Sequence, residues 1–221
     1  MYKPDNIYRA GIVTGMISEL CRSIDETRSM LSSPSAVNKK AIYRLLTRAH
    51  SLINKMDTWH DTVPQHWKRQ YQPTYDTNEN GRDQWTTCFL ATVHSAQITF
   101  YTKVLDFCDY LSRLGIYSGG HSFSKRLVQL LAGLEDQIRN LLEMICSTIS
   151  SLLGRIDANG AFQISSDTKV ANGYVLRLPM RVVVDCRFST AEQVALCSQG
   201  LGFVGSNVMP GHLARPLSHR N

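Results

Sequence analysis

The feature that most limits what this chain can become is an apolar stripe near its middle. Between about Ser124 and Leu153, the residues Leu127, Leu131, Leu134, Ile138, Leu141, Ile145, Ile149 and Leu152 recur every three or four positions. That spacing gathers them on one side of an α-helix but scatters them over both faces of a strand, so the stretch reads as helix. A stripe this regular is stable only when other helices cover it. The rest of the chain has to supply that cover.

Partner helices are readable on both sides. From Asn38 to His60, Ile42, Leu45, Leu46, Ala49, Leu52, Ile53 and Met56 hold helical spacing, and Pro64 forces an end soon after. From about Asp83 to Leu114, Val93, Ala96, Phe100, Val104, Phe107 and Leu111 mark a face that Gly115 closes. A first helix from Asp5 to about Leu31 is expected to bury Ile7, Ile12, Met16, Leu20, Ile24 and Met30, although Gly11 and Gly15 each cost it about 1 kcal/mol against Ala. The run Tyr174 to Val184 is β-branched at Val182, Val183 and Val184 but has no neighbouring strand to pair with, so it too is read as helix. Ser189-Thr190-Ala191-Glu192 reads as a capping box, with Ser189 at the cap of a last helix.

Breaks fall at Ser32-Ser33-Pro34-Ser35, at Gly119-Gly120, at Gly154 and at Asn159-Gly160. Residues 68–82, with Pro73, Asp76, Asn78, Asn80 and Gly81, form an exposed polar loop before Trp85. The fold class is therefore all-α: a single irregular helical domain of about five to seven helices over residues 1–209, and a disordered tail over 210–221.

Composition excludes several classes. With 43% apolar and 19% charged residues the chain is globular, and no apolar run approaches the roughly 20 residues that span a bilayer. It opens Met1-Tyr2-Lys3-Pro4-Asp5, without the apolar stretch of a secretory signal, so an intracellular place in nucleus or cytoplasm is expected. The net charge of +6 is spread over separated positions such as Lys39-Lys40, Lys68-Arg69 and Lys125-Arg126, which describes a solvated surface and no direct nucleic-acid contact. Cys21, Cys88, Cys108, Cys146, Cys186 and Cys197 lie far apart among mostly apolar neighbours, as small buried hydrophobes do.

No motif carries catalysis. Gly200-Leu201-Gly202-Phe203-Val204-Gly205 matches the dinucleotide fingerprint in letters, but a helix precedes it and the chain ends soon after, so it reads as the glycine-rich end of a helix. His60 and His66, with Asp57 and Asp61 nearby, straddle Pro64 and lack the spacing of a zinc site. Glu135, Asp136 and Glu143 read as charges on a solvated helix face. No catalytic, cofactor-binding or metal-ligating residue is assigned, and no cofactor is expected.

Three stretches in order resemble a known family. The first is Met56-Asp57-Thr58-Trp59-His60-Asp61-Thr62-Val63-Pro64-Gln65-His66-Trp67, a helix-ending Trp-x4-Pro-x-x-Trp pattern. The second begins at Gln84-Trp85 and runs through Ala96-Gln97-Ile98-Thr99-Phe100-Tyr101. The third is Glu143-Met144-Ile145-Cys146-Ser147-Thr148-Ile149-Ser150-Ser151-Leu152-Leu153-Gly154, followed after a gap by Gly173-Tyr174-Val175-Leu176-Arg177-Leu178-Pro179-Met180. Over roughly residues 40 to 205 the chain resembles the C-terminal part of the regulatory region of fungal zinc-cluster transcription factors. The six-cysteine zinc cluster that gives those factors their DNA contacts is missing, and Arg177 and Arg181 stand where the family prefers apolar or aromatic residues.

The resemblance implies a regulatory or protein-interaction domain with no DNA reading of its own. It implies a protein partner such as a related transcription factor, a small-metabolite effector in an apolar cleft, and a role in controlling secondary metabolism. Two alternatives stand beside it. One is a small helical enzyme with a repurposed pocket using His94, His121, Asp106 or Asp109; the other is a truncated, non-functional fragment with apolar surface exposed.

Overall fold

The computed structural model describes residues 4–31, 39–62, 82–115, 131, 133–153 and 167–208. Among them the fold is all-α, with helices α1 (Pro4–Met30), α2 (Lys39–Thr62), α3 (Arg82–Arg113), α4 (Leu134–Leu153), α5 (Asp167–Asp185) and α6 (Ala191–Val208) and no strand. No helix among the described residues is long and apolar enough to cross a membrane. The breaks at 32–35, 119–120, 154 and 159–160, the polar loop over 68–81, Leu127 and the tail from Pro210 all lie outside the described residues.

The chain divides into two compact units, residues 1–68 with 96–141 and residues 69–95 with 142–221. In the first, α1 packs on α2. The α2 stripe read from sequence is buried in full, from Ile42 to Met56. On α1 the buried residues are Ala10, Val13, Ile17, Leu20 and Ile24, alternating three and four apart, which is the spacing of a helix seam. Two residues expected in the core there are instead exposed, Ile12 by 47% and Met30 by 66%. The small Ala10 and Val13 set the register, and the larger Ile12 lies off it. Mid-helix hydroxyls on α1 bond back to carbonyls one turn earlier, Thr14 to Ala10 at 2.9 Å and Thr27 to Ser23 at 2.7 Å, so these polar residues fit the helix without open donors.

Polar contacts fix how these helices meet. Arg48 on α2 donates to Glu19 on α1 at 2.7 Å, Lys103 on α3 pairs with Asp25 on α1, and the Arg28 guanidinium sits 5.1 Å from the Tyr110 ring centroid. Such exposed pairs add a few tenths of a kcal/mol to about 1 kcal/mol each, so they select geometry more than they supply stability. Gly115 has φ of 66° and its N–H bonds the Ser112 carbonyl at 3.0 Å, the left-handed ending expected of α3.

The second unit is built on the pairing of α5 with α6. The inward residues of α5 are Gly173, Leu176, Met180 and Val183. A Cβ on Gly173 would lie 2.7 Å from Val204 Cγ2, and one on Gly200 would overlap Met180 Sδ, so glycine is what lets the two helices approach this closely. Gly200, Gly202 and Gly205 therefore lie inside α6, not at its end, and the helix runs on to Val208. The run Val182–Val184 is helical, as the lack of a pairing strand implied.

The turn joining α5 to α6 shifts the expected cap by one residue. Thr190 Oγ1 accepts from the Gln193 N–H at 3.2 Å, and Gln193 Oε1 accepts from the Thr190 N–H at 3.0 Å, a reciprocal capping box starting at Thr190. Ser189 instead donates its hydroxyl to the Val183 carbonyl at 2.6 Å, closing the end of α5. Serine, threonine, glutamate and glutamine all suit a capping box, so letters alone leave its frame open by one.

Candidate functional site

Of the residues considered for an enzyme, His94 is fully buried on α3, in the second unit. Asp106 is half-buried on the same helix, in the first unit. Asp109 is exposed and paired with Arg113, and His121 lies outside the described residues. Glu135, Asp136 and Glu143 are exposed on α4, as a solvated face should be. Asp57 and Asp61 are exposed too, while His66 and the His60 side chain lie outside the described residues. Among the described residues no three histidine, cysteine or acidic side chains gather around a common point.

Of the tryptophans in the resemblance, Trp59 is buried at the end of α2, as a helix-end staple would be; Trp67 and the Trp85 side chain lie outside the described residues. The central helix α3 carries more polar burial than its apolar spacing suggested. Thr87, His94 and Ser95 are buried in the second unit, Gln97 and Tyr101 in the first. Ser95 settles its hydroxyl on the Thr92 carbonyl at 2.7 Å. Burial, with a smaller push from the Asp57 carboxylate, holds the Tyr101 phenol far above its ordinary range, so it stays a neutral donor. Burial also pushes the Cys88 thiol up to about 11. The Tyr101 phenol and the Cys88 thiol are neutral parts of packed cores.

All six cysteines are free thiols; Cys88, Cys108, Cys146 and Cys197 are buried, and Cys21 and Cys186 half-buried. In the second unit, the Cys197 thiol holds the Cys146 thiol below its ordinary value, while Cys146 and burial raise Cys197. No sequence signal points to that mutual effect, because the two stand far apart in the chain and in no shared motif.

An exposed apolar strip lies on the outer side of α5. Tyr174, Val175 and Leu178 are exposed by 54%, 44% and 58% and lie on one side of the helix, opposite the face that packs on α6. Pro179 sits one turn beyond Val175 and has no N–H to give to the Val175 carbonyl, which leaves an acceptor among these apolar side chains. Further along, Arg181 bonds Asp185 at 2.8 Å, and Arg177 flanks the strip, half-buried and in no ion pair among the described residues. The sequence hinted at this face. Gly173, Leu176, Met180 and Val183 step by three and four, and the apolar residues left over include the exposed Tyr174, Val175 and Leu178.

No protein-family model matches the chain, and no match was found among the curated proteins or the solved structures.

Proposed function

We propose that this chain is a regulatory protein-interaction domain of the kind found in fungal zinc-cluster transcription factors, and that it takes its partner on the outer face of α5. The observation that carries the reading is the strip Tyr174, Val175 and Leu178, exposed together on a helix whose other side is firmly packed. Contiguous apolar surface is costly to leave in water and marks interaction sites. The same strip falls inside Gly173–Met180, one of the stretches that carry the resemblance.

The partner that fits is an amphipathic helix with acidic residues beside its apolar ones. Its aliphatic side chains would cover Tyr174 and Leu178. Its carboxylates would meet Arg177, and the chain's net charge of +6 would draw it in. The experiment uses two labelled helical peptides with the same leucine pattern, one glutamate-rich and one lysine-rich, read by fluorescence anisotropy. The acidic peptide should bind at least tenfold more tightly, and Leu178→Asp should remove that binding while shifting stability by no more than about 0.5 kcal/mol, since the site is exposed. Equal binding of both peptides, or binding untouched by Leu178→Asp, refutes the docking face. Fused to a heterologous DNA-binding module, the wild-type chain should alter reporter transcription and the Leu178→Asp chain should not.

A further inference from the structure

Basic residues that stand apart in the letters are gathered by a helix. On α2, Lys40, Arg44, Thr47, Ser51 and Lys55 step by four, three, four and four, so they form one line along the helix, and each is exposed. The line is turned away from Ile42, Ala49 and Ile53, which are buried on the opposite side. At 1.5 Å per residue it runs roughly 22 Å. No acidic residue occurs from Lys39 to Met56. Elsewhere Arg22, Arg113, Arg139 and Arg181 each pair with an acid four residues away on their own helix. Arg48, at the edge of the line, pairs with Glu19 of α1. Lys40, Arg44 and Lys55 are in no ion pair among the described residues, so their charge is open to a partner.

We propose that the outward side of α2 is a contact surface for the phosphate backbone of double-stranded DNA, carried by Lys40, Arg44 and Lys55. A helix about 10–12 Å across matches the roughly 12 Å major groove of B-form DNA, whose lips are lined with phosphates. Over about 22 Å of duplex axis one strand presents about six phosphates, enough for three cations to find partners. Ser51 lies between Arg44 and Lys55 and can give its hydroxyl to a phosphate oxygen, while Thr47 keeps its own hydrogen on the Tyr43 carbonyl at 2.9 Å. Asp57 and Asp61 follow Lys55 and bound the basic line at that end.

Other polyanions fit this face less well. A helix that lies on a membrane turns its apolar side to the lipid, and the apolar side of α2 is buried in its own unit. A single strand needs a run of rings to stack its bases, and Tyr43 stands to one side of the line without another exposed ring beside it on α2. The A-form groove of duplex RNA is too narrow for a helix. Contacts to phosphate carry no sequence information, so this surface holds DNA without reading it, in keeping with the missing zinc cluster. It stands apart from the α5 strip, since α2 belongs to the first unit and α5 to the second.

The test titrates the full chain into fluorescently labelled DNA duplexes of two unrelated sequences and reads anisotropy at several salt concentrations. Both duplexes should bind equally, and with three phosphates neutralised the affinity should fall roughly fortyfold between 50 and 200 mM salt. The triple variant Lys40→Ala/Arg44→Ala/Lys55→Ala should bind at least tenfold more weakly at 50 mM salt. Its melting temperature should stay within about 2 °C of wild type, because the sites are exposed and alanine suits a helix. Arg113→Ala/Arg139→Ala/Arg181→Ala removes the same charge from paired positions and should bind within about threefold of wild type. A dissociation constant weaker than about 100 μM at 50 mM salt would overturn the proposal. So would equal losses in the two triple variants, which would mean that net charge alone attracts the duplex. Tighter binding to phosphatidylserine vesicles, to polyglutamate or to an RNA duplex at matched charge would overturn it in favour of that partner.

Discussion

Adding one methyl group should have opposite effects at two glycines of the α5–α6 pair, because glycine serves different purposes within it. Gly202 is exposed in the interior of α6, and a Cβ there meets nothing within 4 Å. Gly202→Ala therefore gains only the helix preference, about 1 kcal/mol. For a chain of this size that raises the melting temperature by roughly 2–4 °C. Gly173 is different. Its Cβ would lie 2.7 Å from Val204 Cγ2 and 3.6 Å from Leu153 Cδ2, and Val204 is 4% exposed with a β-branched side chain that cannot rotate away cheaply. Overpacking of this kind costs about 2–3 kcal/mol, which outweighs the helix gain and leaves a net loss of about 1–2 kcal/mol. Gly173→Ala should thus melt roughly 2–8 °C below wild type. Gly200→Ala should fall between the two, since the atom it meets, Met180 Sδ, belongs to a flexible but fully buried side chain. The assay is thermal unfolding by far-UV circular dichroism on all three variants. If Gly173→Ala melts as high as Gly202→Ala, the close approach of α5 and α6 is refuted.

Two further outcomes follow from local chemistry. Thr190→Ala removes the hydroxyl that receives the Gln193 N–H and should cost about 1 kcal/mol, seen as a melting temperature lower by roughly 2–4 °C; an unchanged value would place the cap elsewhere. At alkaline pH an unfolded Cys88 loses its proton near 9.0 while the folded one holds it to about 11, so the folded state binds more protons across that window and stability falls as pH rises through it. Tyr101, also raised by burial, adds to the fall in the same direction. Thermal melts between pH 8 and 11 should decline, and Cys88→Ala should decline less; equal slopes would mean that Cys88 is not buried in solution.

Legibility in the sequence tracked how well apolar size and spacing agreed. On α2 the large aliphatic residues fell on one stripe, and the whole stripe from Ile42 to Met56 is buried. On α1 size and register disagreed: Ile12 and Met30 are large but lie off the seam, and Ala10, which is small, lies on it. Burial on α3 reaches around most of the helix, enclosing His94 and Gln97 with Phe100 and Val104, so one apolar stripe could not mark its limits. The capping box was visible as a composition but not as a frame, because Ser189 and Thr190 are both competent caps and the choice depends on which hydroxyl the end of α5 takes.

The exposure on α5 follows from the same constraint. A helix with apolar residues on several sides has a choice of which to bury, and α5 carries Tyr174, Val175 and Leu178 as well as Leu176, Met180 and Val183. Burying the first set would require α5 to roll until Tyr174 or Leu178 faced α6. At the present separation that face accepts no more than glycine beside Val204, where even a methyl group overlaps. Rolling would therefore force the helices apart and give up the fully buried Leu176, Met180 and Val183. Each such side chain is worth about 1.5–3 kcal/mol of burial. Gly173 thus selects the inward face of α5, and by doing so leaves the outward one apolar. The strip is a fixed consequence of tight packing on the other side of the helix, and a partner that covers it need not pay to reorganise the unit beneath.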